Sequence, residues 1–310
     1  MPDFRVQAST DIATSIQQVH DALVDFTTWP MWSPWLYIEP DAQLSYSGTK
    51  GELGHAYQWT GDKVGAGSMS LTGVAPGRID YTLQFQKPFK STAAVWFDLK
   101  ESSPHQASLT WSMDSKLPFF MFWMMGSMTS MIRADYDRGL ALLKDLLETG
   151  SVQSRTKLLD VTELDALAYV GLKNVTPHDQ LPMSISKTFS ALSDKVESEL
   201  FNPVGNAFCL YHRIDIKQGE IEYTGALPVA EPESVDMPFL SSIRPACRAL
   251  YAVHTGPYRH LPNAWEMLKS EAKSKKLKVS KIHPPIEHYL NDVDKTEASD
   301  LITELYLPLK

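Results

Sequence analysis

The chain has 310 residues, with 29 Lys and Arg against 37 Asp and Glu and a formal charge of -8; this length exceeds one compact domain and predicts two, each able to bury a core. The acidic balance argues against nucleic acid or an anionic membrane surface as the main partner and leaves small molecules or proteins. Cys209 and Cys247 are too few for a disulfide framework and lack metal-ligand spacing, so two reduced thiols are expected. The start, MPDFRVQAST, has no basic and apolar export signal, and a cytoplasmic protein is expected.

In chain order, a first strand precedes STDIATSIQQVHDALVDFTTWPMWSPW. There Ser9, Thr10 or Asp11 is placed to cap a helix whose apolar positions Ile12, Ile16, Val19, Leu23 and Phe26 keep helical spacing. Trp29, Trp32 and Trp35 are read as stapling this helix to a sheet. Residues 42–115 alternate short β-type runs with turn signals, predicting an antiparallel meander of six strands. The uncharged run LPFFMFWMMGSMTSMI, residues 117–132, is shorter than the roughly 20 residues needed to span a bilayer and is broken by Pro118 and Gly126, so no membrane span is expected. Met128, Ile132, Tyr136, Leu140, Leu143 and Leu147 then recur at steps of four and three, the spacing of a long amphipathic helix.

This order, carried by VHDALVDFTTWPMWSPW, GAGSMSL, ASLTWSM and DRGLALLKDLLE, resembles the START-like polyketide cyclase and dehydrase (SRPBCC, helix-grip) family over residues 3–149. The resemblance implies a curved sheet gripping a long helix, with an apolar cavity between them for lipids or aromatic polyketides. Trp59, Phe85, Trp96, Trp111, Phe119, Trp123 and Met128 are the candidate cavity wall, the methionine-rich helix start serving as its adaptable part. A stripe of Met and aromatic residues is equally what ordinary core requires. No Ser-His-Asp set, paired carboxylates or metal cluster occurs in this half, which points to binding rather than chemistry.

A linker in LETGSVQSRTKLLD divides the chain near residue 152. The segment beyond it repeats internally: YVGLKNVTPHDQLP parallels YAVHTGPYRHLP, and EYTGALPV parallels ELYLPL. Each copy reads strand, helix, two-strand hairpin. These residues, above all VHTGPYRHLPNAWEML, IEHYLND and TELYLPL, resemble the GyrI-like small-molecule-binding family, the effector-binding domain also attached to AraC- and MerR-type transcription regulators. The match covers residues 156–310. The resemblance implies a groove between the repeats that takes hydrophobic, often cationic or planar compounds with aromatic rings and a buried acid; some stand-alone members resemble hydrolases that open cyclopropane-bearing electrophiles. Here a START-like domain stands where the regulators carry a helix-turn-helix, so direct contact with nucleic acid is not expected.

The fold class is therefore α+β with two domains: a helix-grip domain over 1–152 and a duplicated β-α-β-β domain over 153–310, with repeats at about 156–230 and 243–310. Strand parity puts Leu305, Leu307 and Leu309 on one face of TELYLPL and Glu304 and Tyr306 on the other, while Glu287 and Tyr289 fall together in IEHYLND. Two adjacent strands could thus present both carboxylates and both phenols to one groove, with Trp265 and Tyr258 adding ring surface. Glu304 is the preferred acid; a solvated edge glutamate is the plain alternative. Thr224 and Ala226 take its place and that of Tyr306 in the first repeat, so the site should be asymmetric. Four histidines near the second repeat lack zinc spacing, and no metal or cofactor is expected. Three functions fit: binding or sensing of an apolar, possibly cationic molecule; hydrolysis of an electrophile with Glu304 as catalytic acid or base; or a protein-interaction or inhibitor module.

Overall fold

The computed structural model describes residues 3–116, 125–215, 218–232 and 234–310, and the chain divides into two compact units, Met1–Gln153 and Ser154–Lys310. Candidate wall residues Phe119 and Trp123 lie outside the described residues.

The first unit is one antiparallel sheet of β1 (Asp3–Ile12), β2 (Gln43–Ser47), β3 (Ala56–Thr60), β4 (Ala66–Ala75), β5 (Arg78–Lys87), β6 (Ser91–Ser103) and β7 (Gln106–Lys116) in the order β1-β7-β6-β5-β4-β3-β2. Helices α1 (Ile16–Val24) and α2 (Pro34–Ile38) precede the meander, and α3 (Met125–Thr149) follows it and packs on β1. The first helix begins later than its periodicity suggests. Val6, Ala8 and Ile12 continue a strand alternation that pairs with β7 as far as Ala107, so the cap is Ser15, whose hydroxyl accepts from the Gln18 amide, and not Ser9, Thr10 or Asp11.

Alternation turns Val95, Phe97, Leu99, Leu109, Trp111 and Met113 inward. Between sheet and helix, Phe26, Trp29, Trp32, Tyr81, Phe97, Trp111 and Tyr136 form one buried aromatic mass; Trp111 stacks on Tyr136 of α3 at 4.0 Å and 7°. Gly139 permits that approach, because a Cβ there would lie 2.9 Å from both Pro34 and Trp111. Trp111 is thus a core residue. Trp59, Phe85 and Met128 stand at the margin of the same core, with the Trp59 indole donating to the Val64 carbonyl at 3.3 Å. Trp96 has the opposite parity to Val95 and Phe97 and belongs to the outer face, not to an internal wall; its ring is flanked by the Arg5 and Arg78 guanidinium groups at 5.4 and 4.8 Å.

Glu39 fixes the β3–β4 loop beside Trp59. Its buried carboxylate accepts the amides of Asp62, Lys63 and Val64 at 2.7, 2.8 and 2.8 Å. A Glu39→Gln substitution should cost about 1–3 kcal/mol, since it replaces charge-assisted bonds and turns a donor toward a backbone that offers only donors. Urea unfolding followed by tryptophan emission measures that loss.

The second unit holds β8 (Arg155–Leu164), β9 (Leu167–Pro177), α4 (Leu181–Glu197), β10 (Phe208–Asp215) and β11 (Glu220–Pro228), then β12 (Phe239–Arg244), β13 (Cys247–Thr255), α5 (Leu261–Ser274), β14 (Ile286–Tyr289) and β15 (Ile302–Pro308). Each strand-helix-hairpin repeat is thus preceded by one further strand. These extra strands are exchanged: in the order β12-β9-β11-β10-β14-β15-β13-β8, β8 pairs with β13 and β12 with β9.

A flat sheet would hold β8 and β9 about 29 Å apart, six spacings of ~4.8 Å, yet only Asp165 and Ala166 join them, a reach of about 10 Å. The sheet must curl. Its inner face gathers Tyr169, Phe208, Leu210, Ile286 and Tyr306 with Leu164, Leu167 and Leu240, while α4 and α5 cover the outer face through separate clusters. Arg244 ties the exchanged arms by donating to the Asp165 carbonyl at 2.6 Å.

Candidate functional site

The two repeats meet where β10 pairs with β14, and there Cys209 stands directly opposite Glu287. Superposing one repeat on the other by sequence sets Cys209 against Glu287, Tyr211 against Tyr289 and Ile185 against Trp265. The pseudo-twofold thus passes between a thiol and an acid, and the pair of phenols is kept in both copies.

Glu287 is 4% exposed and faces the helices. Its Oε1 accepts from the Trp265 indole at 2.6 Å, and its Oε2 accepts from the hydroxyls of Tyr211 at 2.7 Å and Tyr289 at 2.8 Å. Above it, Tyr289 meets Tyr258 at 5.4 Å and Phe189 of α4 at 5.7 Å. Trp265, Tyr258, Tyr289 and Phe189 are each partly exposed, so rings open to solvent on one side roof a carboxylate that is not.

Among the described residues no Lys or Arg pairs with Glu287. Burial pushes its pKa up, against the downward pull of the bonds from Trp265, Tyr211 and Tyr289. The phenols respond in kind: burial, then the nearby Glu287 charge, raises Tyr258 to about 12 and holds Tyr211 well above its ordinary value. Cys209 is raised as well, chiefly by burial, which makes it an inert thiol.

The arrangement differs from the single groove expected with both acids. Register places Glu287 opposite Leu305 and His288 opposite Glu304. Leu305, Leu307 and Leu309 do pack with α5, and Glu304 and Tyr306 therefore lie on the inner face, away from Glu287, Tyr289, Trp265 and Tyr258. Among the described residues, Glu304 accepts from the Tyr306 hydroxyl alone, at 2.7 Å. A catalytic Glu304 working among the phenols of the helix-side site is ruled out by this parity. The residues missed were Tyr211, Cys209 and Phe189, although the repeat itself aligns the first two with Tyr289 and Glu287.

Among the described residues no group of three or more His, Cys, Asp or Glu is arranged to hold a metal, and no helix is long and apolar enough to cross a membrane.

Comparison with known proteins agrees with this architecture. Residues 159–310 match the GyrI-like small molecule binding domain, and residues 3–148 match the polyketide cyclase / dehydrase and lipid transport family. The chain is a fusion of these two domain types, an N-terminal helix-grip domain followed by a small-molecule-binding domain. No curated protein matches it. Among solved structures, EcmrR in a DNA complex is 18% identical with a TM-score of 0.43, over 59% of this chain and 69% of that one. SAV2435 bound to tetraphenylphosphonium is 18% identical with a TM-score of 0.38, over 50% and 94%. EF2215 from Enterococcus faecalis is 19% identical with a TM-score of 0.33, over 48% and 73%.

Proposed function

We propose that the chain binds or senses a lipophilic cation, taken up against Glu287 beneath the rings of Trp265, Tyr258, Tyr289 and Phe189. One observation carries this reading: a carboxylate 4% exposed, among aromatic rings, with no cation paired to it among the described residues. An isolated buried charge is expensive, and three donors offset only part of that cost. A ligand cation supplies the missing countercharge, and each ring face adds about 0.5–2 kcal/mol.

The same bonds shape selectivity. With both Glu287 oxygens already accepting, charge and ring contact carry recognition more than new hydrogen bonds to the acid do, which favours onium or delocalised cations over small amines. Because the first repeat has Cys209 where the second has Glu287, the site offers one negative charge and suits a monocation. Turnover of an electrophile at this site has no specific support: three of the acid's roughly four lone-pair sites are occupied and the adjacent thiol is held protonated.

Thermal unfolding of the full chain with tetraphenylphosphonium and with tetraphenylborate, a shape-matched anion, tests the proposal. The phosphonium should raise the midpoint saturably and the borate should not. Equal shifts, or none from either, would contradict it.

A further inference from the structure

The inner face of the curled sheet carries a second set of groups that the cation site leaves unused. Across neighbouring strands at one level run His288, Glu304, Val253 and Lys157, each the direct register partner of the next and therefore on one face. Rings lie beside them: His288 meets Tyr306 at 5.4 Å, and Tyr306 stacks on Tyr251 at 5.3 Å and 12°. A hollow of about 470 Å³ opens over Val253 and Thr255, with Arg155, Lys157 and Leu159 along its rim. That volume is within the usual range for small-molecule sites.

Glu304 and His288 do not line the hollow but continue the same row beyond Val253, and among the described residues the charges at the two ends of this row have no ionic partner. Glu304 accepts one bond, from Tyr306, where Glu287 accepts three, and so keeps more of its acceptor capacity. Next to it the Nε2 atom of His288 is buried and has no partner among the described residues. Lys157 and Arg155 are exposed and, among the described residues, form no ion pair. Two strand spacings, roughly 10 Å, separate the backbones of Glu304 and Lys157, with only apolar Val253 between them.

The geometry points to a second binding site on this face, for an elongated zwitterion with an aromatic body: its ammonium on Glu304 and His288 Nε2, its ring over Val253 against Tyr251, its carboxylate on Lys157 and Arg155. Ligand charges at opposite ends match the acid at one end of this row and the bases at the other, and N–H donors use acceptors that an onium ion would leave idle. The site is independent of Glu287, which faces the other side of the same sheet.

Calorimetric titration of the full chain with 4-(aminomethyl)benzoate, 4-methylbenzylamine and 4-methylbenzoate tests this, since the three share one ring and differ in charge. The zwitterion should bind at least about tenfold more tightly than either single-charge analogue, tenfold being ~1.4 kcal/mol. Glu304→Gln and, separately, the exposed pair Lys157→Gln with Arg155→Gln should each remove that preference, while Glu287→Gln leaves it intact. Equal affinity for the three compounds, no saturable binding of the zwitterion, or a preference that survives both sets of substitutions would overturn the proposal. Lysines that merely guard an edge strand against strand addition would give the first of these results.

Discussion

Glu287→Gln should make the ligand-free protein more stable at neutral pH, by about 1–3 kcal/mol, because a neutral amide of the same shape replaces a buried charge without a countercharge. Its oxygen keeps the Trp265 bond, and the hydroxyls of Tyr211 and Tyr289 turn to accept from the new amide. The pH dependence has a definite sign. The acid's pKa is raised in the folded chain by burial, above the ~4.3 of an unfolded glutamate. Below that unfolded value both states hold the proton and no penalty exists. As pH climbs from there through the folded value, the unfolded chain ionises first, the native state holds more protons, and stability falls. Thermal midpoints between pH 4 and 8 should therefore decline less steeply for Glu287→Gln than for the unaltered chain, the two curves diverging by roughly 2–4 °C per kcal/mol. Parallel curves would show that the carboxylate carries no such penalty.

Trp111→Ala should destabilise the N-terminal unit by about 3–5 kcal/mol, the usual range for deleting a buried tryptophan. Trp111 is 1% exposed and its ring lies against Trp29, Trp32, Trp35, Phe97 and Tyr136. Collapse cannot refill the space, since Tyr136 is fixed on α3 and Gly139 offers no side chain. Trp111→Phe keeps a flat ring on Tyr136 and should cost less than half as much. Urea unfolding followed by near-ultraviolet circular dichroism compares the two. A loss below about 1 kcal/mol for Trp111→Ala would mean the ring borders an open cavity and not packed core.

Most of the architecture can be read from residues because it rests on periodicity. Met128 to Leu147 specify α3, the alternating runs of 42–115 give the meander, and the duplicated YVGLKNVTPHDQLP and YAVHTGPYRHLP reveal the repeat. The choice of acid is harder. Within one strand, parity assigns Glu304 away from Leu305 correctly. Between strands the phase depends on register, and residues 290–301, twelve of them, join β14 to β15 where a two-residue turn would have fixed it. A shift of one residue exchanges the faces, and the observed register sends Glu287 to the helices and Glu304 inward. Trp96 fails for a related reason. Val95, Trp96 and Phe97 are consecutive and all buried, so apolar character does not mark the inner face; Trp96 is covered from outside by Arg5 and Arg78, long side chains from other strands. Exchange of β8 and β12 leaves no local trace at all, because pairing partners far apart in sequence are set by the curl of the whole sheet.

The role of Glu287 is tested most directly by calorimetric titration of tetraphenylphosphonium into the unaltered chain and into Glu287→Gln at neutral pH. A buried carboxylate acting as countercharge predicts saturable binding that the substitution weakens at least about a hundredfold, ~2.7 kcal/mol. Equal dissociation constants for the two proteins would contradict it.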